Sequence, residues 1–378
     1  MASFYQKNPE STSFFIRAAR FGLINPAFTA VHSNLQVWPW VLADNEEQLI
    51  HKALARAGIR ESLRAEKIVR FSARRPVFLI TTNGESLLLK WLDPLPGLGS
   101  DNEIFILRLL EGLVLPLSLR TALPQIVGYD PEQRLLVLEG AAGFKTLREM
   151  DLSGMELSPT VLTTLATVLA TLHNMDVRTL RQKHPDRRLF LPIESMMDIS
   201  PRELVSGPGI HYGLFVETVQ SVDAELRLLS EQWQPDSLIH FDVRDDNILI
   251  AGSKSNQDCP IRLVDWELAG FGDPLYDVGT VLGQLVYHAL RKIGSTDREF
   301  VIPKWAISTF VEVYTRMIPH PPSDLQSQVM RYAGVFLLLR ALATLQVVGV
   351  LGPAGKLSLL LGRRFLQSPD TSMKLLYQ

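Results

Sequence analysis

Asp242, Asn247 and Asp265 are the side chains around which chemistry concentrates, because each carries a hard oxygen donor beside a short apolar run. Asn247 follows Asp242 by five positions and leads straight into Ile248, Leu249 and Ile250, which reads as a short buried strand. A second apolar run, residues 261 to 264, ends on Asp265. Two such strands joined by a turn put Asn247 and Asp265 at the same end of a hairpin and leave Asp242 on the loop before it. That arrangement suits hard cations held by oxygen, with a separate carboxylate left to orient a nucleophile. Phosphoryl transfer from a nucleotide needs one further part, a cation on the phosphates. Lys90, at the end of an apolar strand, is placed to reach the α- and β-phosphates, and Glu103 on the next helix to hold it there.

The elements that must position these residues follow from hydrophobic period and turn chemistry. Asn45 is a candidate cap for a helix from Glu46 to about Ala57, with Ile50 and Leu54 on its apolar side and Gly58 as its stop. Residues 77 to 82 and 85 to 91 read as strands about Asn83-Gly84, a strong hairpin signal. A Pro/Gly-rich linker, residues 93 to 100, leads to a helix over 101 to 113, with Asp101 as candidate cap and Ile104, Leu107 and Leu110 as its stripe. Strands are expected at 125 to 129 and 135 to 139. Beyond Lys145 the pattern is helical: 159 to 175 with Leu162, Leu165, Leu169 and Leu172 on one face, one long helix from Gly213 to Trp233, then 278 to 293, 304 to 317 and 324 to 351.

A β-rich segment giving way to an α-rich one near residue 140 argues for two lobes. The expected division is an extension over 1 to 59, packed by aromatics such as Trp38 and Trp40, a nucleotide-binding lobe over 60 to 140, and a lobe over 141 to 378 carrying the catalytic loop, metal site and acceptor pocket. The fold class is α+β.

Composition narrows the function classes. The chain has 378 residues, of which 46% are hydrophobic, enough for a substantial core. With 38 basic and 40 acidic side chains the formal charge is −2, which gives no electrostatic case for nucleic acid as partner. One cysteine, Cys259, excludes an intrachain disulfide framework and a cysteine-based zinc site. The first residues lack the apolar core of a secretory signal, so the expected compartment is the cytoplasm. Residues 332 to 351 are apolar enough to raise a membrane span, but Arg340 sits mid-run, and a charge there costs at least about 2.5 kcal/mol in a bilayer, so a buried helix is expected. The basic cluster Arg178, Arg181, Lys183, Arg187 and Arg188 is read as a solvated surface loop.

His240, Asp242 and Asn247 in HFDVRDDN resemble the H-x-D-x-x-x-x-N catalytic loop of the aminoglycoside phosphotransferase and choline kinase-like family, relatives of the protein kinases. Asp265-Trp266-Glu267 resembles that family's metal-binding D-x-[DE], and GFGDPLYDVG, with Asp273 and Asp277, its G-D-P-x-x-D element. FLITTNGESLLLKW is similar to its strand, turn and lysine strand, LVLEGAAGFKTL to its hinge, and TVLATLHNMD to its helix ending in Leu-His. The resemblance covers roughly residues 65 to 345. It implies a bilobal protein-kinase-like fold: a small antiparallel sheet with one helix, then a larger, mainly helical lobe. It also implies ATP as donor, Mg2+ on Asn247 and Asp265, Asp242 as the group that takes or orients the hydroxyl proton, and Lys90, Glu103, Ser72, Glu139 and Ala141 as nucleotide-binding positions. His240 is expected to be structural.

Two departures from the family pattern stand out. The phosphate loop reads Phe71 to Pro76 without glycine, leaving Ser72 and Ala73 as its small residues and Arg74 and Arg75 open between phosphate and solvent. Arg244 stands where many relatives carry histidine or lysine, and its expected role is to stabilise the transferring phosphoryl group, with pairing to Asp245 or Asp246 as the alternative. The acceptor is expected to be a small-molecule hydroxyl, of amino sugar or amino alcohol type, because Asp245, Asp246, Glu267 and Asp273 lie near the site. A precursor peptide phosphorylated before elimination by a partner lyase is the second reading. A nucleotide-binding pseudokinase scaffold is the third.

Overall fold

The computed structural model describes residues 50, 52, 54–56, 59, 67–70, 77–82, 85–92, 100–141, 143–152, 157–193, 196, 210–251, 261–292 and 304–377. The expected phosphate loop with Ser72, the Asn83-Gly84 turn, the aromatic extension, the Asn45 cap, most of the 93 to 100 linker and the loop holding Cys259 lie outside them. In chain order the strands are β1 (Lys67–Arg70), β2 (Val77–Thr82), β3 (Glu85–Trp91), β4 (Ile126–Asp130), β5 (Leu135–Glu139), β6 (Phe144–Thr146), β7 (Ser237–Ile239), β8 (Ile248–Ala251), β9 (Ile261–Leu263) and β10 (Gly270–Gly272). The helices are α1 (Ser100–Glu111), α2 (Leu117–Ala122), α3 (Leu147–Leu152), α4 (Pro159–His173), α5 (Arg178–Lys183), α6 (Ile210–Gln220), α7 (Asp223–Glu231), α8 (Pro274–Arg291), α9 (Lys304–Met317), α10 (Leu325–Val348), α11 (Pro353–Gln367) and α12 (Pro369–Tyr377). Antiparallel strands with many helices make this the α+β, kinase-like class.

The described residues fall into two units. One takes in the chain up to Met150 together with Asp246–Glu267, and the other Asp151–Asp245 with Leu268–Gln378. The insertion of Asp246–Glu267 into the first unit differs from a single division near residue 140.

The first unit is built on an antiparallel sheet in the order β1-β2-β3-β5-β4. The two-residue period of β3 sends Leu87 and Leu89 to one face, where they join Phe78, Ile80, Leu135, Val137, Ile50 and Leu54 in the core. The same period sends Lys90 to the other face. Leu135, Leu136, Val137 and Leu138 are all buried, as a strand covered on both sides requires. A second small sheet, β6-β8-β9, carries the hairpin that joins Asn247 to Asp265, with Ile248 opposite Leu263.

In the second unit α8 and α10 form the centre. Asp273 caps α8 by accepting from the Leu275 N–H (3.0 Å), and Pro274 occupies the first helical position, where no N–H is needed. A Cβ on Gly279 would stand 2.4 Å from the Tyr332 Cβ and 2.9 Å from the Val329 carbonyl oxygen, so the two backbones approach as only glycine allows. Among the described residues α10 is the one helix long and apolar enough to cross a membrane. It is buried almost continuously from Tyr332 to Leu342 and covered by neighbouring helices, including α8 and α11.

Two expectations need correction. The single helix over Gly213 to Trp233 is two, α6 and α7, interrupted at Ser221 and Val222. The Ser221 hydroxyl donates to the Thr218 carbonyl (2.7 Å) and the Val222 N–H to the Val219 carbonyl (3.1 Å), a tightened turn that lets fully buried Val222 enter the core. The basic cluster is not a loop: Arg178 to Lys183 is α5, Arg178 pairs with Asp176 (2.8 Å) and Arg181 with Asp236. Helices α11 and α12 were not anticipated.

Candidate active site

In the sheet unit the site is assembled around Lys90. Its ammonium lies 2.6 Å from Glu103 Oε2, bonds the Asp265 carboxylate, and stands 3.7 Å from Glu267 Oε2. Burial alone would strip a lysine of its proton. The Asp265, Glu103 and Glu267 carboxylates outweigh that and hold the Lys90 pKa well above its ordinary value. Glu103, 1% exposed, reaches further: its Oε1 accepts the Trp266 N–H at 3.3 Å. Asn102 donates to the Glu267 carbonyl (3.0 Å), and the Trp266 indole donates to the Leu263 carbonyl (2.8 Å). Helix α1 thus holds both the lysine and the segment that follows β9. Asp265 itself has φ 69°, a left-handed conformation that costs a non-glycine residue roughly 1–2 kcal/mol. These contacts to its neighbours keep it there.

The β8-β9 hairpin places Asn247 opposite that segment. The Val264 N–H donates to the Asn247 carbonyl at 3.0 Å, so Asn247 and Asp265 share one end of the hairpin as expected. They offer two oxygen donors of the hard kind. Mg2+ is commonly held by one or two carboxylates, with water and substrate phosphate completing its shell, so this donor set fits it. Among the described residues no group of three or more His, Cys, Asp or Glu could hold a metal unaided.

In the helical unit the loop from His240 to Asp245 hangs from Asp277. This fully buried carboxylate accepts the N–H groups of His240 (2.8 Å) and Phe241 (2.9 Å) and meets His173 Nε2 at 3.2 Å, while Tyr314 meets the other ring nitrogen at 2.9 Å. Phe241 has φ 69° and stacks on Tyr276 at 4.8 Å. Without Asp277 each unmet buried donor would cost about 1–3 kcal/mol, and the strained turn would lose its anchor. His240 is fully buried and accepts the Asp242 N–H at 3.3 Å, a structural role of the expected kind.

Asp242 is buried and lines a cavity, and Arg244 binds its carboxylate in a fork at 2.7 and 2.6 Å. The cavity is lined also by Phe241, Tyr276, Thr280 and Arg340. Burial, with Asp242 and Asp277 nearby, pushes the Tyr276 phenol far above its usual range, so it stays neutral. Beside the pair of Asp242 and Arg244, His288 meets Asp245 (2.9 Å) and Arg148 donates to Asp246 (3.0 Å). Asp273, its pKa raised by burial, is engaged by Tyr332 (2.8 Å) and the Leu275 N–H.

Of the other nucleotide candidates, Glu139 ends β5 and bonds Arg262 at 2.8 Å, and Arg262 also donates to the Gly140 carbonyl (3.3 Å). Ala141 is half-buried and accepts from the Phe144 N–H (3.1 Å). The place of Arg340 on the cavity wall, and the His173–Asp277 and His288–Asp245 pairs, have no local sequence signal, since their partners are 43 or more positions away.

A family model described as the phosphotransferase enzyme family matches residues 67–302, more than half of the chain. Among solved structures, a microcompartment-associated aminopropanol kinase is similar at 14% identity and a TM-score of 0.51, over 88% of this chain and 98% of that one. The choline kinase LicA from Streptococcus pneumoniae is similar at 16% identity and a TM-score of 0.51, over 86% and 100%. Spectinomycin phosphotransferase APH(9)-Ia, in complex with ADP and spectinomycin, is similar at 16% identity and a TM-score of 0.53, over 88% and 93%. At such identities these likenesses speak for the fold. No curated protein sequence matches.

Proposed function

The chain belongs to the phosphotransferase enzyme family and is a kinase-type phosphotransferase; we propose that its donor is ATP, its metal Mg2+, and its acceptor the hydroxyl of a small molecule. The observation that carries this reading is the buried Lys90, held as a cation between Glu103 and Asp265 within the span that matches the family.

The sheet unit is read as the half that handles nucleotide and metal, and the helical unit as the half that activates the acceptor. Lys90 bears on the α- and β-phosphates, Glu103 positions it, and Ser72, Glu139 and Ala141 are further nucleotide contacts. Asn247 and Asp265 would hold Mg2+, which supplies neutralising charge on the phosphate oxygens. The acceptor oxygen attacks the γ-phosphorus, a new P–O bond forms as the bond to the β-phosphate oxygen breaks, and ADP leaves. The hydroxyl proton passes to Asp242. Arg244 keeps that carboxylate oriented, and its guanidinium adds positive charge for the transferring phosphoryl group. Arg244→Ala is expected to lower kcat about 10²-fold at saturating acceptor; an unchanged kcat would remove Arg244 from the mechanism.

The small-molecule class is supported by the names of the fold's neighbours, which speak of aminopropanol, choline and spectinomycin. They support the class and select no member of it. Nucleotide binding is tested by thermal unfolding. A ligand at 100 times its Kd stabilises by about 2.7 kcal/mol, so ATP with Mg2+ should raise Tm and excess EDTA should return most of the gain. No rise at millimolar ATP would favour a scaffold that does not use nucleotide.

A further inference from the structure

Gln284 is 3% exposed on α8, and among the described residues neither its Nε2 nor its Oε1 meets a hydrogen-bond partner. Protein interiors rarely leave a buried amide unpaired at both atoms, because each unmet atom keeps the full cost of leaving water. Gly279 packs on Tyr332, Gly283 on Phe336, and the Tyr287 ring lies 5.0 Å from the Arg340 guanidinium, so α8 and α10 advance side by side, four residues against four. Gln284 therefore stands level with Phe336, Leu339 and Arg340, which line the same cavity as Asp242. Thr280, one turn earlier on the same side of α8, is also part of that cavity's wall.

An amide donates through its nitrogen and accepts through its oxygen, so one partner that satisfies both atoms must itself accept and donate. A hydroxyl does so, whereas an ammonium only donates and a carboxylate only accepts. The Thr280 hydroxyl faces the Tyr276 phenol, and each keeps capacity beyond that contact, since a hydroxyl has one proton and two lone pairs. Phe241, Phe336 and Leu339 supply apolar wall against which the carbon-bound hydrogens of a small ligand can pack.

Resting on the kinase reading above, we propose that the acceptor is a neutral polyhydroxy compound, a polyol or sugar, and that Gln284 and Thr280 bind its second hydroxyl while Asp242 receives the reacting one. Gln284 is then a specificity-determining residue that takes no part in proton transfer. A compound with a single hydroxyl leaves the amide unmet.

The test uses the full chain with ATP and Mg2+, offering glycerol, ribose, propan-1-ol and ethanolamine as acceptors and measuring acceptor-dependent ADP release. Glycerol or ribose should exceed propan-1-ol and ethanolamine in kcat/KM by about 10²-fold, the discrimination expected from two hydrogen bonds made only to a second hydroxyl. Gln284→Met, close in shape but without polar atoms on the side chain, should bring the preferred polyol down toward propan-1-ol through KM, with kcat changed less. It should also raise the Tm of the acceptor-free protein by about 2 °C, because an unmet amide leaves the core. An amide satisfied by a buried water would instead lower Tm on its removal and reduce all acceptors together. Preference for propan-1-ol or ethanolamine, a Q284M loss equal for every acceptor, a lowered Tm, or no polyol phosphorylated would each overturn the assignment. Phosphorylation of ethanolamine alone would leave the kinase reading standing while this one fails; no acceptor-dependent ADP and no rise in Tm with ATP would remove both. Should Q284M not fold, the acceptor preference of the wild type and its loss in Q284E, which keeps the shape without the amide donors, decide.

Discussion

Asp242→Asn lowers kcat by about 10² to 10⁴ while nucleotide binding persists, the loss expected when a positioned general base is removed. The substitution keeps the size of the side chain and one acceptor oxygen for Arg244, so the change is one of charge and basicity. Asp242 belongs to the helical unit, and the proposed nucleotide and metal residues Lys90, Glu103, Asn247 and Asp265 belong to the sheet unit. The Tm rise with ATP and Mg2+ should therefore survive. Some stability is lost, because Arg244 is buried and its charge loses its partner, at about 1–3 kcal/mol for such a contact. Steady-state kinetics beside nucleotide titration separates these effects. A variant with full turnover would mean that proton transfer takes place elsewhere.

The second large effect concerns stability. Lys90→Met removes the cation that faces Glu103, Asp265 and Glu267, and Glu103 is almost entirely buried. Breaking a buried pair from one side costs about 3–5 kcal/mol, because the surviving charge is left uncompensated. Turnover falls as well, since the phosphates lose their point charge. Chemical denaturation of the wild type, K90M, E103Q and the double variant measures how much of the loss belongs to the pair. The double variant should be more stable than the sum of the single losses predicts, with a coupling of about 0.5–3 kcal/mol. Strict additivity would show that the contact between Lys90 and Glu103 carries no stability.

The residues proposed for the chemistry were legible because each sits where local pattern and chemical type agree. Lys90 follows an alternating strand, Asn247 and Asp265 border two short apolar runs, and Glu103 falls in the first turn of an amphipathic helix. The core of the sheet was legible for the same reason: β2, β3 and β5 carry the expected apolar residues at the expected bounds. What local pattern does not encode is which distant side chain answers a charge. Asp245 and Asp246 are adjacent, yet one takes His288 and the other Arg148. Arg340 shows the same gap. In an apolar run its charge argued against a membrane span, but its position on a cavity wall depends on how α8 and α10 pack, through glycines such as Gly279. The break between α6 and α7 has no glycine or proline to announce it, and rests on one serine back-bond and a buried valine. Helices α11 and α12 begin at Pro353 and Pro369, a start signal that a short amphipathic segment makes easy to pass over.

The central claim is that this chain moves a phosphoryl group from ATP to an alcohol with Asp242 as base. Incubation of the full chain with γ-labelled ATP, Mg2+ and the acceptor panel, followed by separation of products, measures it directly. The predicted result is label on an acceptor hydroxyl with the wild type and a loss of about 10² to 10⁴ with D242N. Label released only as inorganic phosphate, or transferred equally by D242N, would contradict it.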